Sequence, residues 1–159
     1  MHVLFVCLGN ICRSCAAEEI FRTLAQHSGL GRSIHCDSAG LIDYHEGELP
    51  DLRMRQAAGR RGYSLTHRSR PASRDDFYHF DLIVAMDEAN VRALRHLAPD
   101  KAAANRIVRM ADYLPEGTAD HIPDPYYGSE ADFEHVVDLL EAACARLLAA
   151  IKPELQQQA

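Results

Sequence analysis

No second C-x-x-C pair accompanies Cys12–Cys15 in this sequence, and its nine histidines form no cluster at metal-ligand spacing. Zinc centres depend on such spacings, so no metal and no cofactor is expected. The five cysteines are odd in number and irregularly placed along 159 residues, which excludes a disulfide framework. No basic face is visible either. The 17 lysines and arginines are scattered and the net charge is −6, so nucleic acid is not an expected partner. The first apolar run, MHVLFVCL, has no basic lead-in and is too short for a signal peptide or a membrane span. A cytoplasmic address without a membrane partner is expected. Internal repeats, low-complexity stretches and domain linkers are also missing.

What remains is an ordinary globular composition, 47% hydrophobic and 25% charged, of a length that makes residues 1–159 one domain with a real core. The run 2–7 (HVLFVC) is aliphatic and β-branched and ends at a glycine-bearing turn, as a buried parallel strand does. From Ser14, the residues Ala17, Ile20, Phe21, Leu24 and Ala25 share one helical face, with Glu18 and Glu19 in an early turn and Gly29 as a stop. Further strands are expected at 33–40, 80–87 and 105–113. Helices are expected at 51–62, 88–97 and 130–151, with 152–159 as a frayed tail. Strand and helix alternate throughout, which predicts an α/β fold: a single, doubly wound, four-stranded parallel sheet with helices on both faces.

In such sheets ligands bind outside the carboxyl ends of the strands. Cys7, Ser38 with Gly40, and Asp87 all fall at expected strand ends, so distant parts of the sequence converge on one crevice. The segment 7–14, CLGNICRS, joins a strand to a helix N-terminus, where unpaired N–H groups and the positive end of the helix dipole suit an anion. Arg13 adds a planar fork able to hold two phosphoryl oxygens. Thiols at helix N-termini beside cations ionise readily, which makes Cys7 a candidate phosphorus nucleophile. Gly9 and Asn10 tolerate the positive φ that a tight cradle needs.

These residues resemble the phosphate-binding loop of the low-molecular-weight protein tyrosine phosphatases. DSAG at 37–40, YHEGELPDLR at 44–53, THRSR at 66–70, FDLIVAMDEAN at 80–90 and DPYYG at 124–128 follow in the family's order and spacing, so the resemblance covers nearly the whole chain. It implies hydrolysis of phosphotyrosine and other aryl phosphate monoesters through a phosphocysteine. Cys7 would be the nucleophile, Arg13 and the N–H groups of residues 8–13 (Leu8, Gly9, Asn10, Ile11, Cys12) would hold the phosphoryl oxygens, and Ser14 would donate to the thiolate. Asp124 would be the general acid and then the base. Tyr44, Tyr126 and Tyr127 would wall the entrance, and Asn10, Ser38 and His67 would brace the loop. Arg53 and Asp87 match family positions too, and each also reads as an ordinary surface ion pair. Cys12 would be the redox partner of Cys7, closing a reversible disulfide on oxidation. The implied partner is a phosphotyrosine-containing protein, a tyrosine kinase among the possibilities.

The sequence departs from the family at two places. Cys15 replaces the proline that follows the loop serine, and Tyr44 stands where many members carry tryptophan. Cys15 is expected to pack behind the loop. A thioredoxin-coupled arsenate reductase shares the C-x5-R-S loop but relays a disulfide through further cysteines, and none lies between Cys36 and Cys144. A phosphoarginine phosphatase carries threonine where this chain has Ile11. A noncatalytic anion-binding module would need the cradle but neither Cys7 nor Asp124.

Overall fold

The computed structural model describes residues 1–157, one α/β domain built on four parallel strands. The strands are β1 (His2–Cys7), β2 (His35–Gly40), β3 (Leu82–Ala85) and β4 (Ile107–Arg109), in the spatial order β2-β1-β3-β4. β1 is buried from Val3 to Cys7 because it has neighbours on both edges and helices on both faces. Its alternation sends Val3, Phe5 and Cys7 to one face and Leu4 and Val6 to the other. The helices are α1 (Arg13–His27), α2 (Leu52–Gly59), α3 (Asp76–His79), α4 (Glu88–Leu97), α5 (Lys101–Ala104) and α6 (Glu130–Gln157). Residues of α1, α2 and α6 fill the first face, and Phe77, Val91, Leu94 and Ala103 of α3, α4 and α5 fill the second. The doubly wound parallel sheet expected from the sequence is therefore present.

The chain leaves β1 for β2 on one side and later returns to β3 on the other. The carboxyl ends of β1 and β3 thus border a topological switch point, where a crevice opens between diverging connections. Two expected elements differ. The strand expected at 105–113 is cut to Ile107–Arg109 because only β3 pairs with it, and Met110 then turns fully into the core on a 3₁₀ turn, Met110–Tyr113. The tail expected to fray from Lys152 instead continues α6 to Gln157, through Pro153, because Ile151 and Leu155 are both buried against the main core. Residues 158–159 of that tail lie outside the described residues. The short helices α3 and α5 had no periodicity to announce them. Among the described residues, no helix is long and apolar enough to cross a membrane.

Candidate active site

β1 ends at Cys7 and α1 begins at Arg13, and the residues between them curl into a tight loop. Asn10 takes a positive φ of 57°. Gly9 does not adopt the positive φ expected of it; it is needed because a Cβ there would stand 3.3 Å from the His45 ring. Gly40, at the end of β2, has a stricter requirement. A Cβ on it would lie 3.0 Å from the Leu8 carbonyl oxygen and 3.1 Å from both the Gly9 carbonyl carbon and Asn10 Cβ. The strand can close against the loop only without a side chain at that position.

α1 has no side-chain N-cap. Among the described residues, none accepts a hydrogen bond from the backbone N–H groups of residues 9 to 12. Buried backbone donors are almost always paired, so this row of donors at a helix N-terminus is a built anion cradle. The Cys7 sulfur lies at its floor. The Ser14 N–H approaches that sulfur at 3.4 Å and the Ser14 hydroxyl at 3.1 Å.

A buried polar network fixes the loop from behind. Asn10 Nδ2 donates to the hydroxyls of Ser14 at 2.8 Å and Ser38 at 3.0 Å, and the Ser38 hydroxyl donates in turn to Glu18 Oε1 at 2.7 Å. Because the Ser14 oxygen already accepts from Asn10, its hydrogen is free to point at Cys7. Asn10 Oδ1 accepts from the Arg70 N–H at 3.1 Å and from His67 Nε2 at 3.0 Å. The other His67 nitrogen faces Glu18 at 3.3 Å and Asp37 at 3.4 Å. Asn10, Ser38 and His67 are thus gathered as the sequence suggested. Glu18 lies in the second turn of α1, early in the helix as expected, but it is buried and holds Ser38 and Arg22, a role the sequence did not mark. Its only signal in the sequence is the i,i+4 spacing to Arg22.

Arg13 is almost fully buried. Its Nη1 donates to Asp87 Oδ2 at 2.8 Å and to the Ile122 carbonyl at 2.9 Å, leaving Nη2 3.8 Å from Asp124. Burial opposes the guanidinium charge, but Cys7, Asp87 and Asp124 outweigh it and hold Arg13 above its ordinary value. The Asp87 carboxyl is likewise opposed by burial, and Arg13 with the Asn90 N–H holds it below the usual carboxylate range. Asp87 is also the N-cap of α4, accepting from Asn90, so it is no idle surface pair.

Above the loop opens a cleft of about 290 Å³ lined by Cys7, Leu8, Gly9, Ile11, Cys12 and Arg13 below and by Tyr44, His45, Asp124, Tyr126 and Tyr127 above. Asp124 stands at the mouth, accepting from the Tyr126 N–H at 3.1 Å. The Tyr126 ring meets Tyr127 edge-on at 4.9 Å. Arg53, gripped by Asp51 at 2.9 Å, covers both Tyr126 and Phe133. It props the wall and is not among the residues that line the cleft. Cys12 lines the cleft, whereas Cys15 is buried behind it with its thiol toward the Cys12 carbonyl. Burial pushes both thiols up, with Cys7 adding to it. Two lining residues went unmarked in the sequence, Ile42 and His45. His45 is fixed by a 2.7 Å contact to Glu48.

The doubly wound sheet thus gathers a thiol under a row of backbone donors, a buried arginine beside it and a carboxylic acid at the mouth of one cleft. The family described as low molecular weight phosphotyrosine protein phosphatase matches residues 2–157. A low molecular weight protein-tyrosine-phosphatase of Streptomyces coelicolor is 42% identical over 160 residues, covering 99% of this chain and 98% of that one. The human low molecular weight phosphotyrosine protein phosphatase is 38% identical, covering 92% of each. The crystal structure of a protein tyrosine phosphatase from Entamoeba histolytica superposes with a TM-score of 0.93 at 42% identity, over 97% of this chain and 98% of that one. The chain belongs to the low molecular weight protein-tyrosine-phosphatase family.

Proposed function

We propose that this enzyme hydrolyses phosphotyrosine in proteins by way of a phosphocysteine. The observation that carries the reading is the Cys7 sulfur at the floor of the cradle, with the Ser14 N–H and hydroxyl both directed at it. The Cys7 thiolate attacks phosphorus while the bond from phosphorus to the phenolic oxygen breaks. Asp124 gives its proton to that departing oxygen. Water then attacks phosphorus, Asp124 takes the water's proton, and the S–P bond breaks to return thiolate and release phosphate. The N–H groups of the loop and the free side of Arg13 hold the equatorial oxygens through both displacements. Ser14 supports the thiolate as nucleophile and as leaving group.

An apolar slot between Ile11 and the tyrosines suits a flat phenyl ring, which carries its phosphate to the floor while the peptide stays outside. Phosphoserine is too short for that reach, and the cation of phosphoarginine gains nothing from Ile11. A tyrosine kinase bearing phosphotyrosine fits the same slot. Five free cysteines suit a reducing, cytoplasmic compartment. There Cys12 acts as the thiol that captures an oxidised Cys7.

The decisive experiment is Cys7→Ser. The variant is expected to lose turnover of p-nitrophenyl phosphate and phosphotyrosyl peptides while still binding phosphate or vanadate, and the wild type is expected to keep its activity in EDTA. Substantial turnover by the serine variant overturns the mechanism. Comparable kcat/KM on phosphotyrosyl, phosphoseryl and phosphoarginyl peptides overturns the substrate.

A further inference from the structure

The cleft has two tiers. Cys7, Ile11 and Cys12 are at most 7% exposed and form its floor. Farther out, Leu8 is 45% and Ile42 is 40% exposed, although both line the same cleft. The Ile42 N–H donates to the Leu8 carbonyl at 3.1 Å, and the Leu41 N–H donates to the same oxygen at 2.8 Å. Leu41 in turn packs into the apolar layer on the second face of the sheet. Leu8 and Ile42 are therefore locked to each other and to the core, a fixed aliphatic ledge rather than a loose loop tip.

Single exposed aliphatic residues need no explanation. A pair of them, rigidly coupled and continuous with an enzyme's cleft, is different: water is removed from both whenever a substrate covers the mouth. The proposed chemistry uses neither side chain. The phosphoryl group lies in the cradle and the ring lies in the inner tier, so whatever reaches the outer tier belongs to the residues flanking the phosphotyrosine.

We propose that Leu8 and Ile42 form a specificity ledge that binds an apolar side chain immediately next to the phosphotyrosine of the substrate. This rests on the phosphotyrosine reading above and adds the sequence context that the enzyme selects. Tyr44 and Tyr127, the aromatic residues at the mouth, are more exposed still, at 80% and 95%. The ledge is the aliphatic part of the mouth, and its backbone is already bonded.

The test compares kcat/KM for phosphotyrosyl peptides identical except for leucine or serine beside the phosphotyrosine, placed on each side in turn. The wild type is expected to prefer leucine on one side by about tenfold, the scale of apolar discrimination by a small pocket. In Ile42→Ser that ratio is expected to fall toward one, and in Ile42→Val to be largely kept. Because the ratio cancels any loss common to both peptides, impaired folding or chemistry cannot imitate this result. A wild-type ratio near one on both sides, or a ratio unchanged in Ile42→Ser, overturns the ledge and leaves the phosphatase reading standing. Failure to hydrolyse any phosphotyrosyl peptide overturns both.

Discussion

Arg13 Nη1 donates to Asp87 Oδ2 at 2.8 Å across a separation of 74 residues, joining the start of α1 to the N-cap of α4. The bond spans the switch point of the sheet and occupies one side of the guanidinium, so the other side is held toward the cleft. Asp87→Asn keeps the shape and removes the charge. A hydrogen bond to a charged group contributes about 1.5–3 kcal/mol, and Asp87 is a quarter exposed, so a loss of about 1–2 kcal/mol at pH 7 is expected. The Asp87 carboxyl is depressed on folding. Its contribution is therefore complete above the unfolded value of about 3.9 and disappears as pH falls through the lower folded value. Urea titrations should show the gap between wild type and variant shrinking below pH 4. A gap that stays constant would mean the charge is not what Arg13 uses.

For Asp124, the leaving group is the probe. Asp124→Asn should slow hydrolysis of aryl phosphates with basic leaving groups by about 10²–10⁴-fold, and those with acidic leaving groups far less. A slope of log kcat against leaving-group pKa that does not steepen in the variant would make Asp124 a loop-positioning residue only.

Gly40→Ala places a methyl 3.0 Å from the Leu8 carbonyl and 3.1 Å from Gly9 and Asn10, all of them parts of the cradle. Overpacking of this kind costs about 1–3 kcal/mol, and here relief must come from shifting the loop. Thermal unfolding should detect the destabilisation, and phosphate affinity should fall with it. Destabilisation with unchanged phosphate affinity would show that the strand yields and the loop does not.

Oxidation tests the cysteines. Peroxide converts a reactive thiolate to sulfenic acid, and attack on it by the Cys12 thiol would form a Cys7–Cys12 disulfide and release water. Activity lost to peroxide should return with dithiothreitol in wild type and in Cys15→Ser, but not in Cys12→Ser. Burial pushes the Cys12 thiol up, so capture should quicken as pH rises. Loss of reversibility in Cys15→Ser alone would move the resolving role to Cys15, against its position behind the loop.

Much of this protein was legible along the chain because it is written in local patterns. The apolar run of β1, the amphipathic spacing of α1 and α6, and the start and end of α4 follow from periodicity and caps, and the observed α4 coincides with the expected 88–97. The loop from Cys7 to Ser14 is equally local, since its strand, its turn residues and its helix start are contiguous. Short elements escaped, because α3 and α5 span too few residues to show a period and β4 is shortened by having one neighbour. Pro153 and a polar end suggested fraying, whereas the burial of Leu155 against distant residues carries α6 onward. Glu18 reads only as an early-turn helix acid from its neighbours, and only the arrival of β2 and His67 makes it the anchor of Ser38. Ile42 and His45 lie on the cleft wall because β2 ends beside β1, a fact of register. The sequence by itself determined the loop from Cys7 to Ser14, with its turn residues and helix start, and the parallel sheet, since each arises from residues close in the chain. The tertiary structure decided which charges pair and what the mouth of the cleft is made of, because burial and long-range contact depend on where the other strands and helices come to rest.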